Sequence, residues 1–185
     1  MSEITEVNYG PLKKLIGVWK GSKGMDISPE PDGTEENPYY ETITFYEAGD
    51  LTNAESQKLV MLRYHQVVTR KSDDTVFHDE TGYWMWDEAN DIVIHSLAIP
   101  RAVCVLAGGT ATTSNGQTIF EVEANVGDLN WGILQSPFME KNAKTTKFSH
   151  KISIANGKMS YSETTTLEIY GKVFEHTDAN ELTRQ

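Results

Sequence analysis

Apolar and polar residues alternate with a period of two along much of this chain. In the segment 40–47, Ile43 and Phe45 alternate with threonine and tyrosine. Comparable segments, rich in β-branched and aromatic residues, follow at short spacing and cover 58–70, 81–86, 91–99, 102–106, 118–124, 147–154, 158–169 and 173–184. No helical pattern separates them. This series favours an antiparallel barrel or sandwich over an α/β fold.

Local turn signals refine this prediction. Asn156-Gly157 separates two of the β-type segments, and this dipeptide is the strongest short signal for a hairpin. Residues 9–16 predict one short helical turn with Pro11 near its start. Leu12 and Leu15 of that turn are expected to plug one end of a barrel.

Two stretches do not fit the strand pattern. Residues 28–38 combine prolines with acidic side chains and predict an exposed acidic loop. Residues 125–142 mix apolar residues with glycine and proline and predict an irregular loop or a lid over the barrel mouth. We expect residues 1–8 to be flexible. No linker or repeat divides the chain, so residues 1–185 are expected to form a single domain.

Charge and composition limit the function. The chain has 185 residues, a formal net charge of −11 and a pI of about 4.8, which argues against binding to nucleic acid or an anionic membrane. No apolar stretch approaches the roughly 20 residues that span a bilayer. The N-terminus lacks the features of a signal peptide, and Cys104 has no partner for an internal disulfide. A cytoplasmic protein is the simplest interpretation.

Among the five histidines, His176 has the most suggestive context. It follows a bend at 170–172 and shares its strand parity with Asp178, Asn180 and Leu182. If that face points inward, His176 lies in the wall of a cavity, where a neutral imidazole can bind haem iron as the single proximal ligand. Alternatively, His176 donates to a backbone carbonyl and only holds the last strand in place.

His78 allows two interpretations as well. It precedes the aromatic strand around Trp84, so it could be a polar group on the opposite side of the same cavity. It could equally be a surface histidine at a turn, paired with Asp79 or Glu80. No two histidines have the spacing of a local metal pair. The chain has no nucleophile elbow, Walker loop or dinucleotide fingerprint, so these motifs leave open whether it is an enzyme.

The two ends of the chain carry short signatures that belong together. Gly17, Trp19 and Gly21 open the strand series, and Arg184 closes it. If the barrel is closed, its first and last strands meet. The Arg184 guanidinium would then cap the Trp19 indole, a cation–π contact worth about 0.5–2 kcal/mol.

Four motifs in this order resemble the nitrobindin family of haem-binding β-barrels, whose members are also described as similar to fatty-acid-binding proteins. They are Gly17-Val18-Trp19-Lys20-Gly21, Phe77-His78-Asp79-Glu80-Thr81-Gly82-Tyr83-Trp84, Asn156-Gly157-Lys158-Met159-Ser160-Tyr161, and His176 with Leu182-Thr183-Arg184. The resemblance implies a closed antiparallel barrel of about ten strands, calycin- or lipocalin-like. It also implies haem b held by His176 as axial iron ligand, with His78 and Phe77 lining the pocket. For the family it implies nitric oxide binding and isomerisation of peroxynitrite.

The chain departs from the family pattern after Gly21, where it reads Ser22 to Pro29 instead of a glycine-rich run. Two alternatives to haem therefore stay open. The barrel could carry a fatty-acid-like ligand whose carboxylate meets an interior arginine such as Arg63 or Arg101. It could also have a filled interior and act as an interaction or structural protein. The sequence is compatible with a homodimer.

Overall fold

The computed structural model describes residues 7–185, so most of the segment 1–8 lies outside the described residues. A 3-10 turn at Gly10–Lys14 precedes eleven strands and one short helix. The strands are β1 (Gly17–Glu30), β2 (Gly33–Asn53), β3 (Gln57–Arg70), β4 (Val76–Asp87), β5 (Ile92–Ile99), β6 (Val103–Ser114), β7 (Gln117–Asn125), β8 (Ile133–Gln135), β9 (Ala143–Ala155), β10 (Lys158–Ile169) and β11 (Lys172–Arg184). The helix α1 spans Pro137–Asn142. Among residues 7–185, no helix is long and apolar enough to cross a membrane.

Ten of the strands form a closed antiparallel barrel. Its order is β5-β4-β3-β2-β1-β11-β10-β9-β7-β6, and pairing between β5 and β6 completes the circle. The predicted hairpin at Asn156 and Gly157 is confirmed, with positive φ at both residues. The three-residue strand β8 pairs with Val103–Val105 of β6. The predicted all-β barrel with a short N-terminal helical turn is therefore confirmed.

The 3-10 turn plugs one end of the barrel, as the sequence predicts. Leu12 and Leu15 are fully buried there beside Trp19, whose indole Nε1 donates a hydrogen bond of 2.6 Å to the Leu15 carbonyl. Trp19 pairs with Arg184 in the β1–β11 ladder, and the guanidinium carbon lies 4.7 Å from the centre of the indole ring. The predicted contact between the two chain ends is confirmed.

The prediction of an exposed loop at residues 28–38 is wrong, whereas the irregular segment predicted at residues 125–142 contains two short elements. Residues 28–38 are not a loop, because the end of β1 and the start of β2 pair there up to Glu30 and Gly33 around a tight turn. Only Pro31 and Asp32, at the turn itself, lie between the paired residues Glu30 and Gly33. Residues 125–142 contain β8 and α1, with Ser136 capping the helix by accepting a hydrogen bond from the Met139 amide.

The interior changes in character along the barrel axis. At the plugged end the core is apolar and aromatic. A belt of buried polar side chains follows in the middle, comprising Glu41, Tyr64, Gln66, Glu80, His95, His150, Tyr161 and Asn180. Beyond this belt, at the end where β1 stops and β11 begins, the interior opens into a cavity. We call this end the cavity end.

Candidate functional site

The cavity has a volume of about 340 Å³, which falls within the range of small-molecule sites. Its walls come from strands on all sides of the barrel, and Met139 of α1 contributes at the rim. The two sides of the cavity differ in chemistry. One wall is apolar, and the facing wall, on β1, β10 and β11, is polar and ionisable.

The apolar wall is formed by β5, β6 and β9. Inward positions on these strands alternate with exposed ones, as the period of two requires. The apolar side chains that line the cavity here are Leu97, Ile99, Val103, Val105 and Phe148. This wall offers a surface for a hydrophobic ligand.

Asp26, His176 and Asp178 form the centre of the polar wall. His176 and Asp178 are two residues apart on β11 and therefore share its inner face, while Asp26 on β1 pairs directly with Asp178. The Nε2 atom of His176 lies 2.6 Å from Oδ1 of Asp26 and 3.4 Å from Oδ2 of Asp178. Asp26 also accepts hydrogen bonds from Asn37 and Ser28.

The three groups form a charged cluster. Burial lowers the pKa of His176, but the hydrogen bond to Asp26 and the charges of Asp178 and Asp26 outweigh it and raise this pKa overall. Burial raises the pKa of Asp26, yet its contacts with His176, Asn37 and Ser28 lower it overall. The hydrogen-bonded pair therefore favours an imidazolium at His176 and a carboxylate at Asp26. Burial raises the pKa of Asp178 to about 6.

Phe77 and His78 also line the cavity. His78 lies inside strand β4 rather than at a surface turn, with its Nε2 3.5 Å from Oε2 of buried Glu80. Phe77 packs edge-on against Tyr39, with the ring centres 6.2 Å apart. The structure thus brings His176, His78 and Phe77 to one cavity, and their part in ligand binding stays a prediction.

The arginines expected inside the barrel take different positions. Arg63 is on the outer surface, with its guanidinium 4.9 Å from the ring centre of Tyr46, so its placement as an interior residue is wrong. Arg101 lines the cavity from the turn before β6. Arg70 also lines the cavity and lies over the ring of Phe77. Its buried Nε has no hydrogen-bond partner among residues 7–185.

The polar belt forms the floor of the cavity. Glu41 accepts hydrogen bonds from Gln66, Tyr161 and Asn180, and burial raises its pKa to about 7. These three donors stabilise the charged form of the Glu41 carboxyl group, which burial alone would disfavour.

Two imidazoles beside this floor are fully enclosed. Burial lowers the pKa of His95 to about 3 and that of His150 to about 4, so both rings are neutral at physiological pH. His95 bonds to the Tyr64 hydroxyl through Nε2. Within the part of the chain that the structure describes, neither ring nitrogen of His150 makes a hydrogen bond, although Nδ1 lies 3.4 Å from Oε2 of Glu163.

Sequence reasoning missed Asp26 and Arg70 as parts of this site. Asp26 falls in the segment after Gly21 that departs from the family pattern, directly before the wrongly predicted loop. The shared parity of His176 and Asp178 was visible, but the residue opposite them depends on which strands meet at the barrel seam. Only the β1–β11 register supplies Asp26.

A closed barrel with an amphipathic cavity at one end defines a ligand-binding β-barrel. The family model for the THAP4-like, heme-binding beta-barrel domain matches residues 8–184. The chain belongs to this family, and the resemblance to nitrobindins predicted from its motifs is confirmed.

A solved structure supports the same fold. The crystal structure of Rv2717c from M. tuberculosis superimposes with a TM-score of 0.70 at 21% sequence identity, covering 97% of this chain and 99% of that one. At this identity the likeness shows the fold alone. No curated protein matches the chain significantly.

Proposed function

We propose that the barrel binds a small hydrophobic ligand in the cavity and that this ligand is haem b, with His176 as the axial iron ligand. The observation that carries the proposal is the position of His176. It lies in the cavity wall with 28% of its side chain exposed, facing an apolar wall across the barrel. The membership of a heme-binding family supports the same ligand.

The residues around His176 fit this group. A histidine that ligates a metal usually donates its other ring N–H to a carboxylate, which fixes the ring and increases its basicity. Asp26 is placed for this role, since it binds one ring nitrogen of His176. Within residues 7–185, no hydrogen bond engages the other nitrogen, Nδ1.

The remaining cavity matches an amphipathic ligand. The apolar wall of β5, β6 and β9 would pack against a hydrophobic ring system, and His78 adds a polar group to the lining. Arg70 and Arg101 offer guanidinium groups that suit a ligand carboxylate. Haem bound here would supply an iron centre able to bind nitric oxide or to isomerise peroxynitrite, the activities that the nitrobindin resemblance implies.

A hemin titration followed by absorbance tests this proposal. We expect the wild-type protein to show a saturable, red-shifted Soret band at one equivalent. His176→Ala should lose that band, because the iron loses its protein ligand. The matched control is His65→Ala, since His65 is an exposed strand histidine that also pairs with an aspartate. An unchanged band in His176→Ala would contradict the assignment of the ligand.

A fatty-acid-like ligand is the second candidate. Arg101 lines the cavity as this alternative requires, and Arg70 adds a buried Nε that no described residue hydrogen-bonds. If the folded wild-type protein gave no Soret band, the ligand would instead be one whose carboxylate binds these arginines. The cavity itself argues against a filled barrel.

A further inference from the structure

We propose that Asp26, His176 and Asp178 form a binding site for one divalent first-row transition-metal cation. Each residue offers one ligand atom, and these atoms all lie within 4.8 Å of one another. This site goes beyond the proposed binding of haem: it uses Nε2 of His176, the nitrogen that faces Asp26, and is proposed for the protein without haem. The argument rests on strand register, on an Asp178 carboxylate that receives no hydrogen bond from the described residues, and on the chemistry of the donor set.

The register places acidic side chains side by side across three strands. Asp26 of β1 pairs directly with Asp178 of β11, and Asp178 pairs directly with Glu163 of β10. All three line the cavity. Like charges directly opposite each other destabilise a sheet. Burial raises the pKa of Glu163 well above its ordinary value, which relieves the repulsion at that end of the row. The two carboxylates that a cation would bridge are therefore those of Asp26 and Asp178.

His176 hydrogen-bonds only one of the two carboxylates, that of Asp26. One N–H at Nε2 can serve one acceptor well, and Asp26 takes it at 2.6 Å. Asp178 remains 3.4 Å away. Among the described residues, no hydrogen bond is donated to the Asp178 carboxylate, although only 28% of that side chain is exposed. A cation in place of the shared proton would satisfy both carboxylates and the ring nitrogen together.

The donor set indicates the class of cation. Imidazole nitrogen suits zinc, iron, nickel and copper, and carboxylates extend the range towards manganese. The donor atoms are too close together to enclose an organic cation. Asp26 is held by Asn37 and Ser28, which is the outer-shell support that metal-binding carboxylates commonly have. The cavity leaves room for water or a ligand to complete the coordination.

Cobalt(II) binding to the full-length, chelator-treated protein without hemin tests the proposal. We expect one equivalent of cobalt to bind saturably with visible absorption bands, and zinc to displace it. Asp178→Asn and Asp26→Asn should each weaken cobalt binding about tenfold or more, since each removes an anionic ligand. His176→Ala should abolish the bands. Circular dichroism confirms that each variant is folded, and Asp178→Asn serves alone if Asp26→Asn does not fold.

Asp79→Asn is the matched control. Asp79 lies 3.1 Å from His65 on the outer surface, where both side chains are exposed, so cobalt binding should not change. Absence of saturable cobalt binding by the wild type would overturn the proposal. So would equal affinity in wild type and Asp178→Asn. Cobalt binding without a hemin band would support this site and refute the haem proposal, so the two failures are distinguishable.

Discussion

Replacing Trp19 with alanine is expected to lower the free energy of unfolding by about 3–5 kcal/mol, as for other fully buried tryptophans. Trp19 has no exposed surface and packs beside Leu12 and Leu15 at the plugged end. The variant also loses the hydrogen bond to the Leu15 carbonyl. Urea unfolding followed by circular dichroism measures the change.

Arg184→Ala is the control for the contribution of the guanidinium. An exposed cation–π contact is worth about 0.5–1 kcal/mol, so this variant should lose far less stability than Trp19→Ala. A loss below about 1 kcal/mol for Trp19→Ala would contradict the structural role assigned to the indole. Equal losses in the two variants would mean that the Arg184 contact, rather than burial of the Trp19 ring, accounts for most of this stability.

Filling the cavity should impair ligand binding without removing His176. Ile99 lies at the apolar wall and is only half-buried, so Ile99→Trp can be accommodated in the fold while its indole enters the ligand volume. Overpacking costs about 1–3 kcal/mol. When this cost falls on the bound state, hemin affinity drops roughly 5- to 140-fold, since 1.4 kcal/mol corresponds to a factor of ten. A hemin titration measures it.

Ala98→Trp provides the matched control for that experiment. Ala98 is the neighbouring residue on β5 and points to the outside of the barrel. The same indole at this position should leave hemin affinity unchanged. If Ile99→Trp bound hemin as tightly as the wild type, the ligand would not occupy the cavity described above.

The sequence predicted the barrel because its information is local and repeated. Alternation at Ile43 and Phe45, and the dipeptide Asn156-Gly157, each specify a strand or a turn from adjacent residues. The contact between Trp19 and Arg184 could be predicted because closure of an antiparallel barrel brings the first and last strands together. Predicting these features requires little knowledge of which distant residues meet in the fold.

The failures concern features that depend on register. Prolines and acidic residues in 28–38 are typical of loops, but Pro29 and Pro38 are accommodated within the paired β1 and β2 strands. The sequence does not show which parity of the segment 58–70 faces inward, and in β3 Arg63 points outward. The acidic partner of His176 could not be found, since Asp26 lies 150 residues away in the chain. Only the pairing at the seam brings the two side chains together.

Chemical complementation of His176→Gly tests the central claim most directly. The glycine variant removes the imidazole and leaves the rest of the cavity in place. When this variant is mixed with hemin, we predict loss of the wild-type Soret band, and we predict that added free imidazole restores it. A wild-type band in the glycine variant without imidazole, or no response to imidazole, would contradict His176 as the axial ligand in this cavity.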